Sequence, residues 1–239
     1  MPVFSVVIPV FNAARTLPRC LDSLLQQDFS DFEVIVCDGV STDGSLEIAR
    51  QHPIGAHVSS QSDRGVYDAM NRGISLARGE WLLFLGADDH LANAAVLSEI
   101  IPYCGGEEQL VLGNAVFEDL KHSRVPGFYR SELTSRILWR NTIHHQSAFY
   151  HRSLFENAFY DMRFSVLADY HFNLHLHRAK IAWKHVDVTV AVCGGGGVSK
   201  NFNAGLYKEE WRLKREVLGW PMAVIQLPWL AMKFLWKNL

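Results

Sequence analysis

Cysteine is scarce in this sequence. Four occur in 239 residues, Cys20, Cys37, Cys104 and Cys193, with no C-x-x-C pair. That scatter argues against a zinc ribbon or a disulfide framework and suits a reducing cytoplasm. Charge of one sign is also lacking: 23 Lys and Arg against 25 Asp and Glu leave a net charge of −2, and no Lys/Arg run forms a basic patch for nucleic acid. Long apolar spans are missing too. The uncharged stretch 217–232 falls short of the roughly 20 residues that cross a bilayer and contains Pro221 and Pro228. The apolar start "MPVFSVVIPVF" has no basic n-region or small-residue cleavage site, so it reads as a first core strand rather than a leader. There is no G-x-x-x-x-G-K-[ST] and no G-x-G-x-x-G after that strand, so neither an ATPase loop nor the dinucleotide fingerprint is supported.

What remains is enough for one substantial core, with 49% hydrophobic and 20% charged residues. β-rich runs at 4–11, 32–38, 56–61 and 81–86 alternate with helix-like stretches. "AARTLPRCLDSLLQQ" puts Leu17, Leu21, Leu24 and Leu25 at helical spacing, and "GVYDAMNRGISLARG" puts Val66, Met70, Ile74 and Ala77 on one face. Alternation of this kind predicts an α/β fold, Rossmann-like, with a mostly parallel central sheet and flanking helices. After residue 105 the rhythm weakens. Strands are expected at 109–119, 144–151 and 182–192 and helices at 131–141 and 168–180, as an extension of the same single domain.

In a parallel sheet, ligands bind beyond the carboxyl ends of the strands. The polar residues fall there: Asn12 after the first strand, Asp38 ending the second, Asp63 and Arg64 after the third, Asp88 and Asp89 after the fourth. Two adjacent carboxylates repel, and a bound divalent cation removes the conflict; Mg²⁺ or Mn²⁺ commonly completes its shell with substrate phosphates. Capping of a helix through "HLANAAVLSEII" is the alternative for this pair. Asp38 could meet a base N–H or ribose hydroxyls, or could only shape its turn.

Three stretches, "FSVVIPVFNAARTLPRCLDSLLQQ", "EVIVCDGVSTDGS" and "SDRGVYDAMNRGISLARGEWLLFLGADD", together resemble the family 2 glycosyltransferases of the GT-A fold, in the branch that builds bacterial surface polysaccharides. The resemblance runs in order between residues 4 and 89. It implies that Pro9, Phe11 and Asp38 hold the nucleotide base, and that Asp88 and Asp89 contact the ribose and the metal bridging the diphosphate. Gly86 stands where the family often has a further Asp. Asp63, Arg64 and Asn71 would line the nucleotide site, with Arg64 facing the diphosphate or simply exposed. Asp169, in "FSVLADYHFNLHLHRAK", would be the general base or a helix cap. His145 and Gln146, in "HHQSAF", would line the acceptor side.

The implied reaction is single displacement with inversion, from a UDP-linked nucleotide-diphospho-sugar to a hydroxyl of a saccharide or lipid-linked saccharide. The implied GT-A domain covers 1–205, as a donor half 1–105 and an acceptor half 106–205. Residues 206–239 form a helical tail in which Trp211, Trp220, Trp229 and Trp236 lie near Lys208, Arg212, Lys214, Arg215, Lys233 and Lys237. That mixture suits a segment lying on the inner face of the cell membrane, or a helix packed on its own domain. The glycine loop 193–201 could close over the donor, or be a surface turn. His171 and His175 have zinc spacing but no third ligand in register, so a structural pair is the expectation. A nucleotidyltransferase is the first rival, weakened because "PVFNAART" lacks a glycine-rich, basic triphosphate loop. A non-catalytic nucleotide- or sugar-binding module is the second.

Overall fold

The computed structural model describes residues 1–118, 127–156, 158–194 and 204–238, with side chains to 235. Its elements in chain order are β1 (Phe4–Val10), α1 (Leu17–Leu25), β2 (Phe32–Asp38), α2 (Ser45–Gln51), β3 (His57–Ser60), α3 (Val66–Leu76), β4 (Trp81–Phe84), β5 (His90–Leu91) and α4 (Val96–Ile100). The second half adds β6 (Leu110–Phe117), β7 (Phe128–Arg130), β8 (Ala148–His151), α5 (Ala168–Ala179), β9 (Trp183–Cys193), α6 (Ala204–Leu218), α7 (Trp220–Ile225) and α8 (Leu227–Asn238).

β1 runs parallel to β2 and β4, and β2 parallel to β3, in the order β3-β2-β1-β4. These strands are covered on both faces, which is why β1 and β4 are nearly all apolar. Leu17, Cys20, Leu21 and Leu24 of α1 and Ala49 of α2 fill one face. Tyr67, Met70 and Ile74 of α3 fill the other, together with α5 and Leu213 and Val217 of α6. Register aligns the strand ends, Val10 opposite Asp38 and Asp38 opposite Ser60, so their loops open at one rim.

The second half changes direction. β8 pairs antiparallel with both β4 and β6, β9 parallel with β6, and β5 antiparallel with β9. Two expectations fail here. The 131–141 segment forms only a 3₁₀ turn, Ser135–Leu138. After Asp89 no helix begins at once: His90 and Leu91 pair with β9, the Ala92 N–H donates to Val190 O at 3.0 Å, and α4 starts at Val96. Asp88 and Asp89 are therefore not helix caps, because β9 supplies a sheet partner that local sequence does not reveal.

The C-terminal helices pack back on the domain. Glu209 accepts hydrogen bonds from the Val166 and Leu167 N–H groups at 2.8 and 2.7 Å, just ahead of α5. Lys214, in a segment whose sequence suits either a headgroup region or a packed helix, is fully buried, 3.0 Å from Glu210 and 2.8 Å from the Trp139 carbonyl. Lys233 of α8 reaches the other Glu210 oxygen at 2.8 Å. No described helix is long and apolar enough to cross a membrane.

Candidate active site

Asp38 is fully buried at the end of β2. Its carboxylate accepts from the Ser60 hydroxyl at 2.6 Å and the Val40 and Ser41 N–H groups at 3.1 and 3.3 Å. Burial pushes its pKa up, but the bonds from Ser41 and Ser60 outweigh that and hold it below the usual value. Asn12 and Val40, both at positive φ, shape the adjoining turns, and the Asn12 side chain accepts from Thr42 N–H at 2.9 Å. Pro9 lies partly buried in β1, and Phe11 is 66% exposed just beyond it, an apolar plate at the rim.

Asp63 abuts Gly39, where an added Cβ would come within 2.7 Å of its carboxylate. Arg72, which sequence reasoning missed, donates to the Asp38 carbonyl at 2.9 Å and stands 4.0 Å from Asp63. Arg64 pairs with Asp68 at 3.2 Å and stays exposed, so a diphosphate contact would have to break that pair. Asn71 is engaged with the second half of the chain. Its amide donates to the Tyr160 carbonyl and accepts from the Tyr160 N–H, both at 2.9 Å, a two-bond clamp on the chain ahead of α5.

The two adjacent carboxylates are not equivalent. Asp89 is buried and accepts from Gly86 N–H at 3.0 Å, Gly194 N–H at 2.9 Å and the Gln146 amide at 3.1 Å. Burial raises its pKa and the Asp88 charge raises it further. These three bonds make Asp89 a brace of the loop. Gly86 gives that brace room, since an added Cβ would stand 2.5 Å from Asp89 Oδ2 and the carboxylate would have to shift. Gly194 allows an equally close approach, its place for a Cβ being 2.5 Å from the Asp88 carbonyl. The glycine loop beyond it, from residue 195, lies outside the described residues.

Asp88, beside it, is only partly buried. The site fits a hard divalent ion. Two carboxylates adjoin, neutral N–H donors surround the buried one, and the buried Gln146 Oε1 has no hydrogen-bond partner.

Across the rim, Asp169 sits in the first turn of α5, 8% exposed. Its carboxylate lies 2.9 Å from the Tyr67 hydroxyl, 3.2 Å from the Asn141 amide and 3.5 Å from His145 Nδ1. Burial raises its pKa, yet His145 and Tyr67 prevail and lower it. Neither Tyr67 nor Asn141 was anticipated from sequence, because their contact spans α3, α5 and the 141 loop. The 3₁₀ turn His145–Ser147 joins the two halves: His145 meets Asp169 while its neighbour Gln146 meets Asp89. Phe172 of α5 stacks on Phe155, with ring centroids 4.8 Å apart, and fixes the helix.

A parallel β-α-β half ending in acidic turns, joined to a mixed half that brings a buried carboxylate opposite them, is a GT-A-like fold. The chain belongs to glycosyl transferase family 2, whose sequence profile matches residues 5–167. A PGL/p-HBAD biosynthesis glycosyltransferase of Mycobacterium bovis is 40% identical over 198 residues, 80% of this chain and 76% of that protein. Escherichia coli chondroitin synthase is 35% identical over 99 residues, 40% of this chain and 14% of that protein. Among solved structures, Staphylococcus aureus TarS with UDP-GlcNAc aligns at TM-score 0.72 and 20% identity over 89% of this chain, which spans 65% of that one. The Pyrobaculum calidifontis mannosyltransferase PcManGT with GDP-Man and Mn²⁺ aligns at 0.62 and 20% identity, over 90% of this chain and 61% of that one. At such identities these structures establish the shared fold.

Proposed function

We propose that this chain is an inverting, divalent-metal-dependent glycosyltransferase taking its sugar from a UDP-linked donor. The observation that carries the reading is the His145–Gln146 turn, which holds Asp169 and the Asp88–Asp89 loop on one rim. Asp38, Asp63, Phe11 and Pro9 would receive the nucleotide. Asp88 would hold Mg²⁺ or Mn²⁺, which when bound neutralises charge on the departing diphosphate. Asp169 would take the proton of the acceptor hydroxyl as that oxygen attacks the anomeric carbon, the sugar–phosphate bond breaking as the glycosidic bond forms. No covalent intermediate is needed. A named relative in glycolipid biosynthesis supports a saccharide or lipid-linked saccharide acceptor.

The test is thermal denaturation with UDP, GDP, CMP and dTDP, each with and without Mn²⁺, since ligands of the native state raise its stability. A rise with UDP that requires Mn²⁺ and is lost in Asp88→Asn is expected. No rise with any nucleotide in a folded protein would favour a binding module of other specificity.

Membrane-surface contact belongs to the same reading. α7 and α8 bury one side on α6 but leave Trp220, Val224, Ile225, Leu227, Met232 and Leu235 between 44% and 60% exposed, a strip suited to the acyl boundary beside a lipid-borne acceptor. The double variant Ile225→Asp/Leu235→Asp is expected to lose most co-sedimentation with anionic vesicles without change in melting temperature. Equal sedimentation of variant and parent would overturn the contact.

A further inference from the structure

His171 and His175 take no part in the donor site, yet the fold gives them the partners their sequence lacks. Their Nε2 atoms lie 3.2 Å apart on α5. Glu216, arriving on α6, brings Oε1 to 3.7 Å from His171 Nε2. Asp161, from the loop before α5, completes a group in which its own carboxylate, His171 and Glu216 offer ligand atoms all within 4.8 Å of one another. A tetrahedral ion with bonds of about 2.0–2.1 Å holds its ligand atoms roughly 3.3–3.4 Å apart, and His171 Nε2 stands near that spacing from both His175 Nε2, at 3.2 Å, and Glu216 Oε1, at 3.7 Å.

Arg163 bridges the carboxylates, its guanidinium 2.5 Å from Asp161 and 2.6 Å from Glu216. A bound ion would have to draw Glu216 away from Arg163, which Asp161 would keep. His171 is held by its ring contact with Phe164, centroids 4.6 Å apart, and Arg212 of α6 covers that Phe164 ring at 4.9 Å. Burial pushes both imidazoles below their ordinary pKa, His175 also through Arg178, and neutral imidazole is the form that binds metal.

We propose that this cluster binds a zinc-class divalent cation through His171, His175 and Glu216, with Arg163 retained by Asp161, so that the ion fastens α6 to α5. The site is separate from the donor-site metal and of different chemistry, imidazole-rich where the Asp88 loop offers only oxygen. Its consequence is mechanical, because α6 also carries Glu209, which holds the Val166 and Leu167 amides ahead of Asp169.

The experiment titrates the full chain, freed of metal by chelator, with ZnCl₂ alone, and repeats the titration with Co²⁺ while recording visible absorption. One Zn²⁺ per chain, a raised melting temperature and the intense d–d bands of a tetrahedral cobalt site are expected, all retained in Asp88→Asn. His175 is exposed, so His175→Gln should fold normally while weakening zinc at least about tenfold and abolishing the cobalt bands. Glu216→Gln should do the same. Unchanged zinc affinity in both variants, or no zinc response in the parent, would overturn the site and leave a salt-bridged network closed by Arg163. Loss of the zinc response in Asp88→Asn would assign it to the donor site instead.

Discussion

Asp169→Asn is expected to lower sugar transfer by about 10²- to 10⁴-fold, the usual contribution of a positioned general base, while donor affinity stays within a factor of about two. Asn preserves an acceptor for the Tyr67 hydroxyl, 2.9 Å away in the parent, so the packing of α3 against α5 survives. What disappears is the proton acceptor. Single-turnover transfer and UDP titration of the same variant separate the two effects. A variant that keeps full turnover would remove Asp169 from the chemistry and leave its three contacts as structural braces. The substitution should also alter the acid limb of stability. Asp169 has a folded pKa below its unfolded value, so its contribution is fully present above the unfolded value of about 3.9 and is lost as pH falls through the lower folded one. Asp169→Asn should flatten that part of the stability profile and leave the neutral range unchanged in slope.

The second large effect concerns stability. Lys214→Met is expected to cost about 3 kcal/mol, the low end of the range for breaking a buried ion pair, because Glu210 stays buried and keeps only Lys233. It also removes one of the two donors to the Trp139 carbonyl, Lys214 at 2.8 Å, and leaves it the Trp229 indole N–H at 3.3 Å. Urea denaturation would register this as a lower midpoint at constant slope. Lys233→Met, at a partly exposed position, should cost less. A Lys214→Met loss under about 1 kcal/mol would mean that Glu210 readily changes its protonation or finds other partners.

These two residues illustrate different routes from sequence to structure. Asp169 was recognisable because a short segment resembles one that in its family carries the base. Lys214 could not be singled out because, in a helix rich in charge and tryptophan, nothing local marks which lysine is inside. The same limit applies to Asp88 and Asp89. Their place after a buried strand announced a site, but their unequal parts depend on Gly194 and Gln146, 105 and 57 residues further along.

The sequence by itself determined the parallel half of the sheet, since strands covered on both faces must be apolar throughout and amphipathic helices must return between them. It also determined which rim collects Asp38, Asp63, Asp88 and Asp89, because side chains that follow parallel strands emerge at one end. Only the tertiary structure decided that Asp89 is buried and braces its loop while Asp88 is only partly buried, that Asn71 is a clamp, and that α6 belongs to the packed body. It also decided that Glu216 comes to stand beside two histidines. Each of these rests on contacts between segments tens of residues apart, and short-range periodicity carries no information about which segments will meet.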